Sequence, residues 1–159
     1  MRIIFDPDFD SGSWPGPLGG RDASAGEAWV GPGGLLGLLE TAVGVGGPVF
    51  SAAERAAQLI PLFGSIDGFW SRSAEVDPFG SARRLLAWRD SLVMSGWSGG
   101  GAEPRLAQLS ALMAQAPAGF PDRLLAVNAL LARRDPGLSS LTLLSPREDL
   151  APLDRKSVV

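Results

Sequence analysis

The chain has 159 residues, a formal net charge of −3 and neither histidine nor cysteine, and Lys156 is its single lysine. These absences exclude disulfides, zinc sites of Cys and His, thiol nucleophiles and Ser-His-Asp triads within the chain. The acidic balance disfavours a self-sufficient nucleic-acid binder. The length predicts a single domain over residues 1–159. Because the chain begins without a secretory signal and contains no apolar run of membrane-spanning length, we expect a cytoplasmic protein without membrane contact.

The first third of the chain predicts two strands and a helix. The letters RIIF form a short apolar run that Asp6-Pro7 stops, and a loop rich in glycine, proline and serine follows to about Gly26. EAWV predicts a second short strand. GLLGLLETAVG then predicts a helix that ends in glycine, the residue that most often follows a helix.

Cap signals predict three helices in the middle of the chain. Ser51 precedes AAERAAQLIPLF, in which Pro61 is expected to end or kink the helix. Asp77 is a good N-cap, and Pro78 is a good first residue for the leucine-rich helix that follows. Glu103 and the proline after it open a third helix through RLAQLSALMAQA.

The last part predicts a helix, a strand and the start of another helix. PDRLLAVNALLARR ends in two arginines, which suit the negative end of a helix dipole. LSSLTLL, residues 138–144, is a strand candidate, and SPRE, residues 145–148, has the letters of a capping box. The pattern predicts an α/β fold with a small parallel sheet and a helical insertion over about residues 51–135, with a mostly α fold as the alternative. The truncated look of the end predicts an N-terminal fragment of a longer protein.

The stretch WVGPGGLLGLLE, residues 29–40, lies where a phosphate-binding loop would lie, between a strand and a helix. Such a loop presents glycine N–H groups at a helix N-terminus and uses a lysine to reach the outer phosphates. Gly31, Gly33 and Gly34 supply a flexible turn, but Leu35 and Leu36 stand where lysine and serine or threonine are required. The three glycines are therefore a degenerate phosphate-loop candidate, and a plain strand-to-helix turn is favoured over an active nucleotide site.

An acidic run near the start has the spacing of a calcium loop. Asp6, Asp8 and Asp10 alternate as the first ligands of such a loop do. Ser11 stands in place of the required glycine, however, and Pro17 in place of the closing glutamate. A solvated acidic loop is therefore favoured, and no metal site is predicted.

A second acidic pattern reproduces the letters of a P-D…D-x-K nuclease motif. It consists of Pro121-Asp122 and the later run Asp154-Arg155-Lys156. Magnesium-dependent cleavage needs these acids and the lysine on adjacent strand segments, whereas the first pair opens a helix pattern and the second lies near the end. We take the match as coincidence and assign no catalytic residue.

Arg89 and the tryptophans each allow two interpretations. Arg89 lies inside the leucine stripe of its helix, where its stem can pack while its guanidinium pairs with a carboxylate; the alternative is a phosphate contact. The five tryptophans could stack nucleic-acid bases. Trp88, at a helical position, is nevertheless predicted to be core, and Trp14, in a Gly/Pro loop, is predicted to be exposed.

Three stretches taken together resemble a known family. WVGPGGLLGLLE, GFWSRSAEVDPFGSARRLLAWRDSLVMSGW and LTLLSPREDLAPLDR are similar to the N-terminal part of bacterial PD-(D/E)XK nuclease-family proteins related to the AddB/RecB helicase-nucleases. Residues 67–97 are the most specific part, particularly Asp77-Pro78, RRLLAWRD and Gly96-Trp97. The resemblance covers most of this chain in order, but only about the first fifth of such a multidomain protein.

The resemblance implies a role in processing DNA ends for repair and recombination. It also implies a RecA-like domain whose phosphate-loop position is the turn at residues 30–39 and whose ATP motor is lost. The nuclease acids of the family lie far towards the C-terminus, so this chain has no complete catalytic set and no assigned cofactor. Weak DNA binding through the parent protein and a helicase-nuclease partner subunit are implied as well. A protein-interaction module without enzymatic activity is the alternative, because the chain is acidic and lacks catalytic residues.

Overall fold

The computed structural model describes residues 1–11, 26–101 and 103–145. The strands of this part are Arg2–Phe5 (β1), Glu27–Val30 (β2) and Ser140–Leu143 (β3). The α-helices of this part are Pro32–Val43 (α1), Ala52–Leu59 (α2), Ser71–Val76 (α3), Pro78–Met94 (α4), Pro104–Met113 (α5) and Phe120–Leu131 (α6). Two 3-10 helices cover Pro7–Ser11 and Ile60–Gly64.

The three strands form one parallel sheet in the order β2-β1-β3. Ile3 of β1 is level with Ala28 of β2 on one side and with Leu141 of β3 on the other. As a central parallel strand is covered on both faces, the uninterrupted apolar run is buried from Ile3 to Phe5. The prediction of an α/β fold with a small parallel sheet is confirmed.

The cap signals located most helix starts correctly. Ser51 and Glu54 form a capping box, in which the Ser51 hydroxyl accepts from the Glu54 N–H at 3.2 Å and the Glu54 carboxylate accepts from the Ser51 N–H at 2.7 Å. Asp77 accepts from the N–H of Gly80 at 2.8 Å, and Pro78 is the first residue of α4 as predicted. Helix α2 ends just before Pro61, because proline cannot supply the next hydrogen bond.

Two helices differ from the sequence-based expectation. Helix α3 was not predicted, because Trp70 precedes it and provides no side-chain cap. Helix α6 ends at Leu131, so the two arginines expected in its last turn lie beyond it. One of them, Arg134, instead donates to the carbonyl of Val43, the last residue of α1. The capping box expected from Ser145 continues into residues 146–148, which lie outside the described part, as does Trp14.

The chain divides into two compact units, one of residues 1–47 and 124–159 and one of residues 48–123. The helical insertion predicted over about residues 51–135 overlaps the second unit but runs past its boundary, which lies inside α6. The prediction of one domain over residues 1–159 stays a prediction, and the number of unfolding transitions would test it.

The second unit has its own apolar core, to which helices α2 to α5 contribute. Its members are Ala56, Leu59, Trp70, Ala74, Ala82, Leu85, Leu86, Leu109, Leu112 and Met113. The buried stripe of α4 runs through Ala82, Leu85 and Leu86 and continues towards Arg89, which leaves Trp88 at its edge. Trp88 is 49% exposed, so the prediction that it is core is wrong.

None of the helices that the structure describes combines the length and the apolar character that a membrane span requires.

Candidate functional site

The first candidate site is the turn at which β2 ends and α1 begins. In open parallel sheets, ligands bind outside the carboxyl ends of the strands, and an anion binds best at a helix N-terminus. Gly31 is the N-cap of α1 but has no side chain that could accept a hydrogen bond from the first turn. An acceptor must therefore come from another part of the chain.

Asp10 supplies that acceptor from the 3-10 helix that follows β1. Its Oδ2 accepts a hydrogen bond from the N–H of Gly33 at 2.6 Å. A Cβ atom added to Gly31 would lie 2.5 Å from the backbone nitrogen of Asp10, and one added to Gly33 would lie 3.1 Å from its Oδ2. The first two glycines of the phosphate-loop candidate thus give Asp10 room to approach the helix. Gly34 faces the other way, since a Cβ there would lie 3.1 Å from the Cβ of Val30.

A carboxylate at this position has a direct electrostatic consequence. It compensates the partial positive charge of the helix N-terminus, as an external phosphate would do. It also repels any second anion at the same N–H groups. Pro32, the first residue of α1, contributes no N–H at all. The turn is therefore a helix cap completed from within the chain.

The acids that share the spacing of a calcium loop make separate contacts. Asp6 accepts from the N–H of Asp8 at 3.0 Å and from the hydroxyl of Ser145 at 2.8 Å, which joins the ends of β1 and β3. Asp10 points instead to the first turn of α1. In the described ranges 1–11, 26–101 and 103–145, no group of three acidic side chains is placed to hold a metal ion.

The second candidate site is a network of two arginines and two aspartates in the second unit, residues 48–123, which we call the helical unit. Arg89 contacts Asp122 with both terminal nitrogens and also donates to Asp90 at 3.1 Å. The two terminal nitrogens of Arg55 donate to the carboxylate of Asp90 at 2.6 and 3.1 Å, and its Nε donates to the carbonyl of Pro117 at 3.3 Å. Paired guanidinium–carboxylate contacts of this kind are strong because both hydrogen bonds are charge-assisted.

The environment of Asp122 stabilises its charged form. Burial alone would raise the pKa of Asp122, but the hydrogen bonds from Arg89 and from the N–H of Gly119 outweigh it, so the pKa lies below the usual range. The hydrogen bond to Asp122 likewise raises the pKa of Arg89. This is the carboxylate-paired arrangement weighed for Arg89 in the sequence. Its contact with a phosphate stays a prediction, and it would require the pair with Asp122 to open.

Asp122 also predicts a pH dependence of stability. Because its folded-state pKa is lowered, its contribution is complete above its unfolded pKa of about 3.9 and is lost as the pH falls through the folded value. We expect Asp122→Asn to destabilise the protein at pH 7, and we expect the difference from wild type to shrink in more acidic solution. Urea unfolding between pH 7 and pH 3 measures it. The control is Glu75→Gln, which removes one exposed acid without a hydrogen bond among the described residues; an equal effect of both changes contradicts the prediction.

The chain is thus a mixed α/β protein with two candidate sites. In the first, Asp10 caps the glycine turn before α1, and in the second, Arg89 is paired with Asp122. Compared with models of known families, with curated proteins and with solved structures, the chain gives no significant match. The resemblance to AddB-like proteins therefore stays a prediction.

The role of Asp10 was missed from the sequence, where it was considered only as a calcium ligand. The available signal was the N-cap itself. A glycine N-cap followed by proline leaves N–H groups that need an acceptor from outside the helix. Which of the three aspartates would provide it depends on the path of the 3-10 helix from Pro7 to Ser11, and that path is a tertiary property.

Proposed function

We propose that this chain is a framework domain without nucleotide turnover, the N-terminal part of an AddB-like helicase-nuclease that processes DNA ends. In this proposal the sheet and α1 correspond to a RecA-like domain that has lost its ATP motor. The catalytic acids belong to a later part of the parent protein.

One observation carries the proposal. The N-terminus of α1, where a nucleotide phosphate would bind, is occupied by the carboxylate of Asp10 at 2.6 Å from the Gly33 nitrogen. The sequence has Leu35 and Leu36 where the phosphate-binding lysine and hydroxyl would be needed. A site that lacks the required cation and already holds an anion is unsuited to bind a triphosphate.

The proposal predicts that magnesium and ATP leave the thermal unfolding of the wild-type chain unchanged. A ligand that binds the folded state raises its stability by RT ln(1 + [L]/Kd), about 2.7 kcal/mol at a concentration 100 times the Kd. Millimolar ATP would therefore reveal even a modest nucleotide site. An ATP-dependent rise in the unfolding temperature would contradict the framework proposal.

Two variants of Asp10 test whether its carboxylate caps α1. Asp10→Ala should lower the free energy of unfolding by about 1 kcal/mol, the usual cost of losing an N-cap acceptor. Asp10→Asn should lose less, since its amide oxygen can still accept from Gly33. Equal stability of Asp10→Ala and wild type would show that the contact with α1 does not exist in solution.

The second candidate is a protein-interaction module. Two large apolar side chains of the helical unit, Val76 and Phe79, are 86% and 41% exposed, and exposed apolar surface often marks a protein interface. Light scattering with a partner pull-down, compared between wild type and Val76→Ser, separates this candidate from the framework proposal, because only an interaction surface loses its partner when Val76 becomes polar.

A further inference from the structure

An open apolar groove lies on the helical unit between α4, α5 and the segment before α3. Its volume is about 450 Å³, within the range of ligand-binding clefts. Leu92, Leu106 and Leu109 contribute apolar lining. Phe69 and Trp88 line it as well, and both side chains are partly exposed.

The two aromatic rings present their faces in nearly the same direction. The ring centroids of Phe69 and Trp88 lie 6.4 Å apart, with an angle of 26° between the ring planes. Phe69 is held in place by the edge contact of Trp70 at 5.0 Å and by the hydrogen bond from its own N–H to Gln108, at 3.1 Å. The 49% exposure of Trp88 leaves ring surface free for a further flat group.

Two arginines lie near these rings. The guanidinium of Arg105 lies 5.8 Å from the centroid of Phe69, a cation–π contact at the rim of the groove. Arg84 lies one helical turn before Trp88 on the same side of α4, is exposed, and has no ion pair among the described residues. The described lining of the groove includes no carboxylate.

We propose that this groove binds single-stranded DNA, with one base stacked on Trp88 and the adjoining phosphates facing Arg105 and Arg84. A nucleotide joins a flat ring to an anion, which matches an aromatic face flanked by guanidinium groups that have no ion pair within the described part of the chain. An acidic helix of a partner protein would meet the same cations and bury apolar side chains in the groove, but the nearly parallel ring faces beside two guanidinium groups match the flat base and the adjoining phosphate of a nucleotide more closely. The proposal deepens the proposed function and rests on it for the choice of DNA over RNA.

Binding at such a site is weak and depends modestly on salt. About two phosphates are neutralised by Arg105 and Arg84, so the logarithm of the affinity should fall with the logarithm of the salt concentration with a slope of about −1 to −2. Stacking on an aromatic ring supplies the rest and tolerates any base sequence.

The test is the fluorescence anisotropy of a labelled oligothymidylate titrated with the whole chain. Trp88→Ala should weaken binding about 5- to 150-fold, whereas Trp88→Phe, which keeps an aromatic face, should retain most of it. The matched control is Phe79→Ala, which removes another exposed aromatic ring of α4 that does not line the groove. Arg105→Gln should weaken binding more than Arg133→Gln, the same charge change at an exposed position in the other unit. Circular dichroism verifies that each variant is folded.

Equal effects of Trp88→Ala and Phe79→Ala, or no oligonucleotide binding by the wild-type chain, overturn the proposal. So does a result in which a leucine-rich acidic helical peptide binds through Trp88 and the oligonucleotide does not; the groove then belongs to a protein partner. These failures leave the capped α1 turn and the framework role standing. Conversely, ATP binding at α1 would overturn the framework role without changing the effect of Trp88→Ala on the oligonucleotide.

Discussion

Replacing Arg55 by alanine is expected to lower the free energy of unfolding by about 3 to 5 kcal/mol, the usual cost of breaking a buried ion pair. Arg55 is only 7% exposed, the one charged residue buried within the described part of the chain. Its guanidinium makes two hydrogen bonds to Asp90 and one to the carbonyl of Pro117. Without it these acceptors lose their donors, and the space the side chain filled is left empty.

Urea unfolding followed by circular dichroism measures this loss. Arg72→Ala is the matched control, since Arg72 belongs to the same unit, is exposed and has no ion pair among the described residues. The stability loss of Arg55→Lys should lie between those of Arg55→Ala and Arg72→Ala, because lysine keeps the charge but cannot make two parallel hydrogen bonds to Asp90. A loss below about 1 kcal/mol for Arg55→Ala would mean that the network behaves as an ordinary surface ion pair.

Gly31→Ala is expected to destabilise the protein by about 1 to 3 kcal/mol through overpacking at the turn between β2 and α1. The backbone of Gly31 has a φ of −86°, which alanine adopts without strain, so the cost arises from contact alone. The new methyl group would meet Asp10, including its backbone nitrogen at 2.5 Å. The 3-10 helix after β1 would have to move away from α1.

The control for this change lies within the same helix. A Cβ added to Gly37 would meet nothing within 4 Å, so Gly37→Ala should stabilise the protein by up to about 1 kcal/mol through helix propensity. Opposite signs for the two glycine-to-alanine changes in urea unfolding are the expected result. If Gly31→Ala were neutral or stabilising, the close approach of Asp10 to α1 would be wrong.

The local signals in the sequence located many of the elements correctly. The apolar run of β1, the Ser51 capping box and the Asp77-Pro78 start of α4 each depend on neighbouring residues alone. Helix α3 lacked such a signal, because Trp70 cannot cap it. The burial of Trp88 was predicted wrongly because the apolar stripe of a helix is about 100° wide, and a residue at the edge of the stripe can reach solvent.

The candidate sites depended on pairings between distant residues. The sequence offered both a carboxylate partner and a phosphate for Arg89, and the structure pairs it with Asp122, 33 positions away. The groove could not be foreseen, since it combines a loop residue, Phe69, with one face each of α4 and α5. No spacing rule connects those three segments.

By itself the sequence determined which chemistry this chain lacks and where many of its helices begin. Without histidine or cysteine, and without a lysine after the glycine turn, the corresponding chemistry is missing however the chain folds. Only the tertiary structure decided that Asp10 caps α1, that Arg55 and Arg89 are neutralised, and that Trp88 reaches solvent beside Arg105. The physical reason is range: caps and helix periodicity act over a few residues, whereas charge pairing and exposure depend on segments that meet only after folding.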